Sequence, residues 1–131
     1  MIKTFGLTHI TLKVQDVKRS SDFYHKIFGT QEMYHSEGFI QIQTPGCHDI
    51  IVFEQGERNG SQDNGIPHFG FRLVRPERLE DIVNVVEAAG GTIINQGEFE
   101  PGEPYVFIKD PDGYEVEIWY EKLSPAHILF N

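Results

Sequence analysis

Two stretches decide the fold: Thr8-His-Ile-Thr-Leu-Lys-Val14 and Pro67-His-Phe-Gly-Phe-Arg-Leu-Val74. Each alternates in polarity along its length, and the first is rich in β-branched residues, so each reads as a half-buried strand. Each then leads into a helix. After the first, Asp16 stands where an N-cap belongs, Val17, Tyr24, Ile27 and Phe28 recur at helical spacing, and Gly29 supplies the stop. After the second, Pro76 is expected in the first helical turn. Leu79, Ile82, Val83, Val86 and Ala89 form the apolar stripe, and Gly90-Gly91 ends it.

Three strands are expected after each helix. In the first half they run near Gln31 to His35, Phe39 to Gln43 and Asp49 to Gln55. In the second they run near Thr92 to Asn95, Tyr105 to Lys109 and Tyr114 to Glu121, with Asp110-Pro-Asp-Gly113 as a hairpin turn. The same unit of about 60 residues is therefore written twice. His9 and His68 are 59 residues apart and the helix-ending Gly29 and Gly90 are 61 apart. Module one covers residues 5–55, a linker without apolar side chains covers 56–65, module two covers 66–122, and a tail covers 123–131. The expected class is α+β, with two paired βαβββ modules in one domain, because the open face of a single module stays uncovered until another joins it.

Side chains alternate between the faces of a strand, which sorts the polar residues. Ile10, Leu12 and Val14 suit a helix-facing side, leaving His9, Thr11 and Lys13 on the other. Phe69, Phe71 and Leu73 leave His68, Gly70 and Arg72. Val116, Ile118 and Tyr120 leave Glu115, Glu117 and Trp119. Two histidines and a glutamate thus fall on non-helix faces of three strands. That is the composition of a two-His-one-carboxylate metal site with open coordination positions. Each residue alone also fits an ordinary solvated or packed role; the equivalence of His9 and His68 in duplicated units is what singles them out.

The residues also match a family. Gly6-Leu-Thr-His-Ile-Thr-Leu-Lys-Val14, Ser21-Asp-Phe-Tyr-His-Lys-Ile-Phe-Gly29, Pro67-His-Phe-Gly-Phe71 and Phe107-Ile-Lys-Asp-Pro-Asp-Gly-Tyr-Glu-Val-Glu-Ile-Trp119 resemble the vicinal oxygen chelate superfamily. That group includes glyoxalase I, fosfomycin-modifying transferases, extradiol dioxygenases and bleomycin-resistance proteins. The resemblance spans about residues 5–122 and implies βαβββ modules in a curved mixed sheet around a metal-holding cleft. It implies His9, His68 and Glu117 as ligands of one divalent ion per site, with Fe, Mn, Co, Ni or Zn all compatible with mixed N/O ligation. Glyoxalase I carries a fourth ligand on its fourth strand. Here that position falls near the apolar Val52, with Glu54 of the same parity one step on. The three-ligand pattern looks more like the dioxygenase and fosfomycin-transferase branches.

The remaining candidates keep two readings each. Lys13 and Arg72 either meet an anionic substrate group or keep a strand edge soluble. Glu115, or Glu54, is a candidate general base or a solvated carboxylate. Tyr105 and Trp119 are pocket walls or core residues. The chain has 11 Lys and Arg against 20 Asp and Glu, a net charge of −9, which opposes nucleic-acid binding. No run of about 20 apolar residues appears, so no helix is expected to span a bilayer. Lone Cys47 and a start without signal-peptide character point to the cytoplasm. The expected protein is a homodimeric metal-dependent enzyme, a lyase or isomerase, transferase or dioxygenase, acting on a small oxygen-chelating substrate. The competing class is a non-catalytic drug-binding protein of the bleomycin-resistance kind, which the acidic balance would suit for a cationic drug.

Overall fold

The structure, a computed structural model, describes residues 1–57 and 65–122. Most of the expected linker (58–64) and the tail (123–131) lie outside the described residues. The chain divides into two compact units, Met1–Asn64 and Gly65–Asn131, and the division falls within the stretch that lacks apolar side chains.

The first unit runs β1 (Ile10–Val14), α1 (Val17–Phe28), β2 (Gln31–Ser36), β3 (Phe39–Gln43) and β4 (Ile51–Gln55). Its sheet has the order β1-β4-β3-β2, with β1 parallel to β4 and the other pairs antiparallel. The second runs β5 (Phe69–Arg72), α2 (Leu79–Ala88), β6 (Thr92–Glu98), β7 (Pro104–Lys109) and β8 (Glu115–Trp119), in the order β5-β8-β7-β6. Again the outer β5 is parallel to β8 and the rest are antiparallel. The repeat extends to an irregularity. Register shifts between Glu32 and Tyr34 on β2 and between Ile93 and Asn95 on β6, so both modules bulge at the same place. This is the α+β, twice-written βαβββ architecture that the sequence pattern implied.

Local chemistry explains α1. The Asp16 carboxylate accepts hydrogen bonds from the Lys18 and Arg19 amides, satisfying two donors that the helix start leaves orphaned. At the other end Gly29 adopts φ 70°, where a side chain would be strained, and donates to the His25 carbonyl. The His25 Nδ1 lies 2.8 Å from the Thr30 carbonyl oxygen and ties down the turn into β2. Val17, Phe23 and Tyr24 are buried with Leu12, Val14, Ile40, Ile42 and Phe53, and Tyr24 meets Phe53 with ring centroids 5.5 Å apart.

The second helix starts later than expected. Arg78 is extended (ψ 136°) and α2 begins at Leu79, so Pro76 lies ahead of the first turn. A helix begun at Pro76 would have Glu77 and Arg78 in its first turn and nothing to bury there, whereas Leu79 opens the stripe that carries Ile82 and Val86 into the core. Strand β5 is also shorter than Pro67 to Val74, and Val74 is exposed. Strand β6 continues past Asn95 to Glu98 because β7 offers partners that far. The Asp110–Gly113 turn forms as expected: the Gly113 amide donates to the Asp110 carbonyl, and the Asp110 carboxylate accepts from the Asp112 and Tyr114 amides.

Candidate metal centre

In the second unit, β5 and β8 lie side by side in parallel register with Gly70 opposite Glu117 and Arg72 opposite Trp119. Val116 and Ile118 point into the core with Val106 and Ile108, so Glu115, Glu117 and Trp119 fall on the opposite, open face. His68 immediately precedes β5 and keeps that parity. Its Nε2 lies 3.3 Å from Glu117 Oε1, with the two side chains 43% and 14% exposed. Gly70 packs against the Glu117 backbone beside this pair. A Cβ there would stand 3.0 Å from the Glu117 carbonyl oxygen and 3.3 Å from its Cβ, so the missing side chain leaves room for that residue.

A nitrogen and an oxygen bound to one divalent ion at about 2.1 Å, at angles of about 90–110°, stand about 3.0–3.4 Å apart. The His68–Glu117 separation falls in that range, and the donor types suit a borderline divalent ion. The pair therefore fits two neighbouring positions of a metal's coordination sphere. His9 belongs to the other unit, where it is exposed and immediately precedes β1 just as His68 precedes β5. Among the described residues no group of three or more His, Cys, Asp or Glu side chains is gathered as a metal cluster.

Register makes the two modules comparable position by position. Thr11, two residues after His9, is opposite Val52, as Gly70, two after His68, is opposite Glu117. Val52 is thus the counterpart of Glu117, and it is buried. One step on, Lys13 opposite Glu54 corresponds to Arg72 opposite Trp119. Glu54 is exposed and stands where the second module has its tryptophan. The Lys13 side chain runs over Gly56, where a Cβ would meet its Cδ at 2.9 Å. Arg72 lies 3.7 Å from Glu121. Glu115 faces Lys109 across β7 and β8.

Tyr105 and Trp119 are register partners on β7 and β8, and both are half-buried. Two neighbours went unsingled in the sequence. Phe107, opposite Glu117, meets the His68 ring edge-on at 5.3 Å, and strand parity with Tyr105 was signal enough to find it. Phe99, just beyond β6, stacks on Tyr105 at 4.1 Å and meets Trp119 edge-on at 6.0 Å. It sits among Gly and Glu residues in a loop, where no periodicity marks it.

With this geometry in view, the comparisons with known proteins fall into place. A profile described as the Glyoxalase/Bleomycin resistance protein/Dioxygenase superfamily matches residues 6–118. The chain belongs to that superfamily. Within the glyoxalase superfamily it is similar to the glutathione transferase FosA of Serratia marcescens, 29% identical over 91% of this chain and 83% of that protein. It is also similar to a lactoylglutathione lyase of Arabidopsis thaliana, 26% identical over 84% of this chain. The chain spans 42% of that lyase's length. Among solved structures, a mutant of the genomically encoded fosfomycin resistance protein FosX from Listeria monocytogenes, complexed with Mn(II) and 1S,2S-dihydroxypropylphosphonic acid, shares the fold. It gives a TM-score of 0.73 at 22% identity, covering 88% of this chain and 90% of that one. The transferase and the lyase are both enzymes, and their reactions differ. Among the described residues no helix is long and apolar enough to cross a membrane.

Proposed function

We propose that this member of the glyoxalase superfamily is a metal-dependent enzyme acting on a small substrate that chelates a divalent ion through oxygen atoms. One observation carries the reading: His68 and Glu117 stand 3.3 Å apart on an open sheet face, with glycine beside the Glu117 backbone. His9 completes the ligand set, from the same chain or from a second copy in a cytoplasmic homodimer. Val52 in the place of a fourth ligand favours the three-ligand, dioxygenase-like or thiol-transferase-like branches over glyoxalase I. The Mn(II) in the FosX complex supports a divalent ion in this fold, and Fe, Co, Ni or Zn would suit the same donors.

When bound, the ion would supply Lewis-acid polarisation of two substrate oxygens. The chain's own residues do the rest. Glu117 brings the negative charge of the ligand set, and the Phe107 ring packs against the His68 imidazole and fixes its plane. Glu115, or Glu54, is the proposed proton acceptor. Lys13 and Arg72, each four residues beyond its module's histidine, are the proposed partners of a polar end of the substrate.

The test is reconstitution of purified protein with Mn(II), followed by elemental analysis and electron paramagnetic resonance. The expected result is one ion per site in wild type and affinity at least tenfold weaker in His9→Ala, His68→Ala and Glu117→Gln. Equal and negligible metal in wild type and His68→Ala would end the metal reading, and stoichiometric capture of a cationic drug by that metal-free protein would establish the drug-binding alternative. A monomer in solution that keeps full metal affinity would exclude the cross-chain arrangement of His9.

A further inference from the structure

The open face of the second unit carries something the first lacks. From the His68–Glu117 pair a row of rings runs along β7 and β8. Phe107 meets the His68 ring edge-on, Tyr105 meets Phe107 edge-on at 5.7 Å, and Phe99 stacks on Tyr105 with planes 19° apart. Trp119 closes the row against Phe99. The register counterparts of Tyr105, Phe107 and Trp119 in the first unit are Phe39, Gln41 and Glu54, so only one of the three places is aromatic there. The row is therefore a property of one module, absent from the shared scaffold.

We propose that this row seats a planar aromatic ring of the substrate, with Phe99 as the specificity-determining residue. The proposal rests on the reading of His68 and Glu117 as metal ligands. Two residues along a strand cover roughly 7 Å, so a substrate whose oxygens lie at Glu117 reaches Trp119 by extending about one ring. Offset and edge-on ring contacts add to the gain from burial. Charge points the same way. Arg72, the basic side chain beside Trp119 on this face, is already ion-paired with Glu121 at 3.7 Å, and Lys109 has the acidic Glu115 as its register partner. A small, multiply charged anion would lose its hydration there and would have to compete with Glu121 for Arg72, whereas a substrate with one polar end need not. A flat ring loses little water and gains the row. Phe99 is 50% exposed, so its ring is accessible to a small ligand. A protein partner would need roughly 800 Å² on each side.

Trp119 is the chain's single tryptophan, so its fluorescence reports the row directly. The probes are benzohydroxamate and acetohydroxamate, which share one chelating head and differ only by a ring. On Mn(II)-loaded protein, benzohydroxamate is expected to bind at least tenfold more tightly. Phe99→Ala should cut that ratio below about threefold while leaving acetohydroxamate and Mn(II) affinities within twofold of wild type. Phe99→Leu, which keeps bulk without the ring, should fall between, and circular dichroism checks the fold of both. Equal affinities in wild type, or an unchanged ratio in correctly folded variants, would overturn the proposal. Should Mn(II) fail to bind, the metal reading falls and the ring seat is judged on metal-free protein. Quenching of Trp119 by benzohydroxamate alone then supports it, and equal silence from both probes overturns it.

Discussion

Val52 occupies in the first module the register position that Glu117 occupies in the second: each faces, across a parallel strand pair, the residue two places after the module's histidine. The duplication thus places a carboxylate in one copy and an isopropyl group in the other. Val52→Glu should be destabilising without metal, by on the order of 3 kcal/mol, because it buries a carboxylate without a partner. On the proposed ligand set, in which Val52 takes the fourth-ligand place, saturating Mn(II) should restore part of that loss. Thermal melts with and without the ion measure both effects.

Gly70 is predicted to be as necessary to metal binding as a ligand's own neighbour can be. In Gly70→Ala the new Cβ meets the Glu117 carbonyl oxygen, which belongs to the backbone and cannot swing away. Mn(II) affinity should fall about tenfold while the far-ultraviolet dichroism stays that of wild type. An alanine variant with unchanged affinity would show that the carboxylate does not need this gap.

Removal of metal should lower stability in proportion to ligand binding. At a free ion concentration a hundred times the dissociation constant, binding to the native state alone contributes about 2.7 kcal/mol. A chelator should remove that increment from wild type and leave His68→Ala unmoved. Calorimetry with and without chelator reads the difference.

Glu32 gives the first module a pH-dependent tie. Burial pushes its carboxyl up, but hydrogen bonds from Lys18 and Ser21 and the charges of Lys18 and His35 outweigh that, so its pKa lies below the ordinary 4.5. A carboxylate with a lowered folded-state value contributes stability above the ordinary pKa and loses it as pH falls through the lowered one. Glu32→Gln should therefore be less stable than wild type near pH 7, and the gap should close as pH drops below about 4. Denaturant melts across that range test the sign.

The Asp16 cap is a purely local prediction. Asp16→Ala removes the acceptor for the Lys18 and Arg19 amides and should cost about 1 kcal/mol, with no change in Mn(II) affinity. Equilibrium unfolding measures the first and metal titration the second.

Much of the molecule was legible in the chain because its signals are local. Asp16 and Gly29 bracket α1 by their own hydrogen-bonding and φ preferences, and period-two alternation sorted His68, Glu117 and Trp119 onto one face before any strand was paired. Boundaries set by pairing were less legible. Strand β6 runs to Glu98 because β7 accompanies it, and α2 waits for Leu79 because the sheet rewards an apolar side chain there and not Pro76.

The sequence by itself determined the repeat, the helix ends and the parity of the site residues, since each depends on neighbours within a few positions. Only the tertiary structure decided which residues face each other across strands separated by dozens of positions. It set Gly70 against Glu117, brought His68 to 3.3 Å from that carboxylate, put Val52 in the equivalent place, and laid Phe99 over Tyr105. Cross-strand register is a collective outcome of sheet hydrogen bonding and core packing, which no single stretch of chain encodes.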